Sequence, residues 1–288
     1  MAKKNRKRAR EDRPKKKRTI IPFIERAFEG LSAEASLVAM REILPLATLP
    51  ATTTAEHGEQ DLIFATILPE MAAAFRRTDG VLLVAIQTLT SSGDASLDVA
   101  NRVLHGLELE PGETFMDKEQ PEAGGPRLQD VIASFGELEI HQQPDFWVTA
   151  EDAAKPEIKA ALHDTEANAV PSAAIEGLEN VYWCRMSREF LRWLRPEPRD
   201  RVLDGLARLR AAGKEKWEDG VRLIGAFRAH GLCIPVWELA RGTEAEELAA
   251  PLAEFSQRLD AAIASAEPLT AEEKRARSGL VARQVTVS

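Results

Sequence analysis

Val81-Leu82-Leu83-Val84-Ala85-Ile86-Gln87-Thr88-Leu89-Thr90-Ser91-Ser92-Gly93-Asp94-Ala95-Ser96-Leu97-Asp98-Val99-Ala100-Asn101-Arg102-Val103-Leu104-His105-Gly106-Leu107 is the stretch whose reading sets the fold. Its first six residues are apolar, short and rich in Val and Leu, which predicts a strand buried on both faces. Leu89 to Asp94 has loop composition. Leu97, Ala100, Val103, Leu104 and Leu107 then recur at three- and four-residue spacing, the apolar stripe of a helix lying on a sheet. Asp94 or Ser96 is placed to cap that helix, and Asp98 falls in its first turn, where the helix dipole favours an anion.

A similar unit stands ninety-nine residues later, at Asn180 to Leu206. Val181 to Met186 overlaps the strand, and Arg201-Val202-Leu203-Asp204-Gly205-Leu206 matches Arg102 to Leu107 at five of six positions. Two accounts stand open: duplication of an α/β unit, or two helices of common composition at this spacing.

Working outward, Ser32 is expected to cap a helix running to Pro45. Strands are expected at Thr48–Ala55 and Leu62–Leu68, and close spacing suggests an antiparallel sheet. Residues 111–127 are rich in Pro and Gly and read as a linker. Beyond them, Leu128–Phe135 reads as a short helix. Leu138–Ile140 and Phe146–Val148 read as a hairpin, and Thr149–Asn168 as a long loop with a helical turn. Helices are expected at Ser187–Leu194, Arg199–Ala212 and Ala245–Ala264. Val221–Ala229 is ambiguous, and Pro235 in Leu232–Trp237 argues for a sheet edge. The expected fold is α+β: a basic arm (1–19), a first α/β domain (20–110), the linker, a second α/β domain (128–265) and a mobile tail (266–288). Ile20 to Ile24 and Phe28 are apolar enough to dock on the body.

The chain has 288 residues and a net charge of −8. That charge is divided unevenly. Residues 1–18 hold Lys3, Lys4, Arg6, Lys7, Arg8, Arg10, Arg13, Lys15, Lys16, Lys17 and Arg18 against Glu11 and Asp12, a net of +9, which leaves −17 on the other 270 residues. A like-charged block without apolar residues cannot fold alone and is expected to be disordered in isolation. It suits phosphate-backbone binding, with counterion release making affinity salt-dependent. The competing reading is a solubility tail. No aromatic is interleaved, so the arm itself has nothing to stack on a base. No run approaches the roughly 18 apolar residues of a membrane span, and two cysteines exclude a disulfide framework, which suits the cytoplasm.

A second candidate face comprises Arg185, Arg188, Arg192, Arg195 and Trp193. Arg188, Arg192, Arg195 and Arg199 stand near three- and four-residue spacing, on one side of a helix, with Arg185 and Trp193 close in sequence, able to contact phosphates and stack a base. The competing reading is an amphipathic helix with solvated arginines. The five histidines lack zinc or HExxH spacing, and no GxxxxGK[ST], GxGxxG or GxSxG motif occurs. No catalytic constellation, metal or cofactor is expected.

Several stretches carry a resemblance: Pro22-Phe23 through Phe28-Glu29-Gly30-Leu31; Ile43 to Thr48; Ser92-Gly93-Asp94-Ala95-Ser96; Gly125-Pro126-Arg127-Leu128-Gln129-Asp130; Arg188 to Trp193; and Phe227-Arg228-Ala229-His230-Gly231-Leu232 with Pro235-Val236-Trp237. Over residues 20–265 the chain resembles uncharacterised proteins of high-GC Gram-positive bacteria, which implies a bacterial cytoplasmic protein and no assigned site. Taken together, the expectation is a non-enzymatic accessory factor binding ribosomal RNA or the ribosome through the arm. The alternatives are a protein-interaction adaptor or chaperone-like module, or an enzyme with an unrecognised site.

Overall fold

The structure, a computed structural model, describes residues 20–281. In chain order its elements begin with α1 (Glu34–Glu42), β1 (Ala47–Thr53), β2 (Asp61–Ala65), β3 (Ala74–Arg76), β4 (Leu82–Ala85) and α2 (Ala95–Leu107). Then come β5 (Thr114–Phe115), α3 (Leu128–Val131), β6 (Ile132–Phe135), β7 (Glu139–Ile140), α4 (Ala150–Ala153) and α5 (Pro156–Asn168). The rest is β8 (Ser172–Ala174), β9 (Val181–Arg185), β10 (Glu189–Trp193), α6 (Arg199–Ala211), β11 (Arg222–Ala229), β12 (Leu232–Glu238), α7 (Ala249–Ala264) and α8 (Ala271–Val281). The fold is α+β, built on two sheets.

The first sheet has the order β5-β3-β4-β2-β1-β6, with β7 also pairing β1. It is mixed: β2 and β4 run parallel and its other pairs antiparallel. Residues 111–127 are therefore built into this sheet through β5, and its strands come from both sides of that stretch. As the alternation demands, β4 is buried on both faces. Leu82, Val84 and Ile86 join the core under α1 and α2, while Leu83 and Ala85 meet Ala65 and Leu68 on the opposite side. The Asp94 carboxylate caps α2, accepting from the Ser96 and Leu97 backbone N–H groups at 3.0 and 3.3 Å. Near the other end, a Cβ on Gly106 would lie 3.0 Å from Leu82 Cδ1 and 3.2 Å from the Ala74 Cβ, so glycine lets α2 settle onto β3 and β4.

The second sheet is antiparallel, ordered β11-β12-β10-β9-β8. Trp183, Leu191, Trp193, Leu223 and Trp237 face α6 and α7 in one core. Tyr182, Leu194, Leu232 and Ile234 belong instead to the core that contains Phe28, Leu37 and Met40, so apolar packing runs between the two sheets.

Several expectations are corrected here. Ser187–Leu194 is not a helix. Glu189–Trp193 alternates buried and half-buried residues with period two, and it pairs with both β9 and β12. Phe146–Val148 forms no strand: Asp145–Trp147 is a 3-10 turn, and Trp147 donates to the Ile67 carbonyl at 3.0 Å. Thr149–Asn168 is mostly helical, as α4 and α5. Ala33, not Ser32, precedes α1, with no side-chain cap. Pro235 lies in an interior strand. On the β10 side the ladder ends at Val236 and resumes as a single bridge between Cys233 and Arg195, so the missing N–H falls beside a gap. The tail is not free as far as Val281: α8 packs on α6 and buries Leu280 completely. The echo of Arg102 to Leu107 does not extend to topology. β4 leads by a loop into α2, whereas the strand β10 intervenes between β9 and α6. Gly106 faces strands, but Gly205 faces α7, where a Cβ would lie 2.6 Å from Ile263 Cγ1.

Candidate functional site

The arm, Lys3 through Arg18, lies outside the described residues. Its root does not. Residues 20–31 form it, and Ile24 to Glu29 are gripped from two sides. On one side, the Ile24 N–H donates to the Gly93 carbonyl at 3.0 Å. The Ala27 carbonyl accepts from Arg127 Nη2 at 2.8 Å and from Gln129 Nε2 at 2.9 Å. Arg127 also holds Asp94 at 2.9 and 3.3 Å, and Gln129 accepts from the Ser96 hydroxyl at 2.6 Å. The capped start of α2 and the opening of α3 thus form one polar brace under the root.

On the other side stands the tip of the β11–β12 hairpin. His230 and Gly231 both have positive φ, 44° and 83°, the signature of a two-residue turn matched to strand twist. Gly231 is required by proximity as well, since a Cβ there would lie 2.6 Å from Arg26 Cβ. Arg26 is held by Glu34 through two hydrogen bonds of 2.7 and 2.8 Å. Arg228 pairs with Glu25. His230 Nε2 lies 3.2 Å from Glu42 Oε1, and its ring is 5.5 Å from that of Phe28. The hydrogen bond from His230 holds the Glu42 carboxyl below its usual range, with burial opposing.

Chemically the brace is saturated. Asp94 occupies the helix N-terminus that an anion would want, and Arg127 neutralises it, so this is an anchor and not a phosphate cradle. Not all of the root is covered. Ile24 is half-buried and Ala27 and Phe28 are buried, but Ile20 is 87% and Phe23 76% exposed. The expectation that the whole apolar run docks is corrected: Ile20, Pro22 and Phe23 are exposed, Ile21 is half-buried, and Ile24, held by its backbone bond to Gly93, is where packing against the core begins.

The arginine-aromatic face is not assembled as expected. The Arg185 guanidinium lies 4.9 Å over Trp183 and is shared between Glu189 and Glu244. Arg188 and Arg222 both pair with Glu238. Arg195 is buried against Glu197 and Asp260; desolvation works against its charge, and hydrogen bonds to those carboxylates more than offset it. Trp193 is buried in the second core against Trp237 and Phe255, out of reach of a base. Arg192 has no ion-pair partner among the described residues. Arg185 ends β9, Arg188 lies in the turn before β10, Arg192 and Trp193 take opposite faces of β10 and Arg195 follows it, so the set shares no face, and carboxylates neutralise most of its arginines.

Elsewhere the polar interior is structural. Arg102, fully buried, donates to the Ala85 and Ile86 carbonyls at 3.1 and 3.0 Å, to Thr88 Oγ1 at 2.7 Å and to Asp117 at 3.2 Å. Burial draws its pKa down and Asp117 opposes the shift. These bonds tie the end of β4 to the Thr88–Asp94 loop. Both cysteines are free and buried, and burial raises their pKa values, that of Cys233 to about 12, so neither is a ready nucleophile. Among the described residues no three His, Cys, Asp or Glu side chains converge as metal ligands. An open groove of about 720 Å³ crosses the outer face of the first sheet between Pro50, Thr52, Asp61, Ile63, Val81 and Phe135. No described helix is long and apolar enough to cross a membrane.

The root was invisible in the sequence as a site, because its residues near 26, 94, 128 and 230 meet only in the folded chain. All four groups nevertheless fall within stretches that carry the resemblance. No curated protein and no solved structure matches the chain. The model of one protein family does, over residues 27–288, beginning within the root and taking in the brace, both sheets and α8. On that match the chain belongs to a family of unknown function, DUF5926.

Proposed function

We propose that the chain is a non-enzymatic, cytoplasmic accessory factor that binds structured RNA, ribosomal RNA or the ribosome itself, through its basic arm. The observation that carries this reading is the union of eleven basic residues with a root fastened to the brace at α2 and α3 on one side and to the β11–β12 hairpin on the other. A charged segment on a rigid anchor is positioned by the body it leaves. The −17 of the remaining residues repels bare nucleic acid, which favours a mixed protein–RNA target contacted by the arm alone. The carboxylates beside Arg185, Arg188 and Arg195 weaken the body's rival phosphate-binding face and so favour the arm.

Gradient sedimentation of lysate tests it. At low salt the full chain is expected to travel with ribosomal particles, and a chain lacking residues 1–18 to remain at the top. A full chain that also stays at the top ends the ribosome reading. The groove over Pro50, Ile63 and Phe135 favours a second reading, a protein-interaction adaptor. A partner recovered equally by full and shortened chains after nuclease treatment would establish that instead.

A further inference from the structure

The arm contacts phosphates but carries no aromatic. The aromatic comes five residues after Arg18, at Phe23. Its backbone is fixed: the Ile24 N–H bonds to the Gly93 carbonyl at 3.0 Å, and a Cβ on Gly93 would lie 3.6 Å from Phe23 Cα. Its ring is 76% exposed, and Ile20, the first described residue of the root, is 87% exposed. Residues 1–18 offer little to cover them, since their apolar side chains are Met1, Ala2, Ala9 and Pro14. A large ring held by an anchored backbone beside a phosphate-binding run has the two components of single-strand recognition, stacking and charge.

We infer that Phe23, flanked by Ile20, is a base-stacking platform at the root of the arm, so that the RNA recognised has unpaired bases beside a phosphate-dense stem. This rests on the RNA-binding reading above. A duplex keeps its bases stacked on one another and offers the ring nothing, whereas a loop or bulge can splay a base onto it. Because the backbone is already ordered, stacking costs little further entropy. The platform is indifferent to base identity, as every base presents a π-face.

The test uses the full chain and two labelled RNAs with equal numbers of phosphates, a hairpin with an unpaired pyrimidine loop and a blunt duplex. Each is titrated across a range of KCl concentrations. Phe23→Ala is expected to weaken hairpin binding on the order of tenfold. Duplex binding and the salt slope should not change, since no phosphate contact is lost. Phe23→Trp should retain hairpin binding, and Met186→Ala, at an exposed apolar residue elsewhere, should bind like the wild type. Equal binding of Phe23→Ala and wild type to the hairpin overturns the platform, as does an equal loss on both RNAs. Failure of the wild type to bind either RNA ends the parent reading instead. Phe23-dependent binding to phosphatidylserine–phosphatidylcholine vesicles, with RNA binding unchanged in Phe23→Ala, overturns the platform in favour of a lipid surface.

Discussion

Replacing Asp117 by alanine should destabilise the fold more than any surface charge change. Arg102 has no exposed side-chain surface and Asp117 only 5%, so water cannot replace the carboxylate. Truncation leaves a buried guanidinium with neutral partners, a change worth about 3–5 kcal/mol. Thr90 Oγ1, which donates to Asp117 Oδ2 at 2.8 Å, loses its acceptor at the same time. Against this, Asp117 Oδ1 already lacks a hydrogen-bond partner, so the wild type carries part of the desolvation cost. The lower end, about 3 kcal/mol, is therefore expected. Urea unfolding monitored through the tryptophans gives the number, provided the slope is unchanged. Arg102→Met with Asp117→Ala should cost less than the two single changes added, because the double variant leaves no charge unpaired. A loss below about 1 kcal/mol for Asp117→Ala, the range of solvated pairs, would refute the reasoning.

Four further outcomes are expected. Gly205→Ala should destabilise by about 1–3 kcal/mol in the same assay, since its Cβ would meet the Ile263 backbone N at 2.8 Å; Gly279→Ala, in open space on α8, should instead stabilise by about 0.5–1 kcal/mol. Leu280→Ala should release α8, costing about 2–5 kcal/mol and exposing residues 266–281 to limited proteolysis. Glu42, whose pKa is lowered in the fold by His230, contributes stability that is present above its unfolded pKa and lost as pH falls through the folded value. Glu42→Gln should therefore show a shallower loss of stability in that acidic window than the wild type.

The central stretch was legible because each signal in it was local. A six-residue apolar run, a capping aspartate and a helical stripe need no distant partner to be read, and β4, Asp94 and α2 stand as expected. The stripe of Leu248, Leu252, Phe255, Leu259 and Ile263 was legible for the same reason. β10 was not. Phe190 is apolar yet lies opposite Leu191 and Trp193, because the second sheet is covered on both faces, and this blurred the period of two. The arginines at 188, 192, 195 and 199 then imitated a helix. β3 was hidden by brevity and by Ala72-Ala73-Ala74, which have little strand signature. The arm was legible by charge, whereas its root is a purely tertiary object.

That root also dates the molecule's assembly. Arg228 meets Glu25 across 203 residues and His230 meets Glu42 across 188. During synthesis the arm emerges well before the hairpin that seats its base. Contacts so distant in sequence close late. The arm's charge is thus synthesised well before the hairpin that seats its base. A chain cut before the hairpin would carry the basic segment without its bearing, and a partner that reads both would engage only a chain with the hairpin seated.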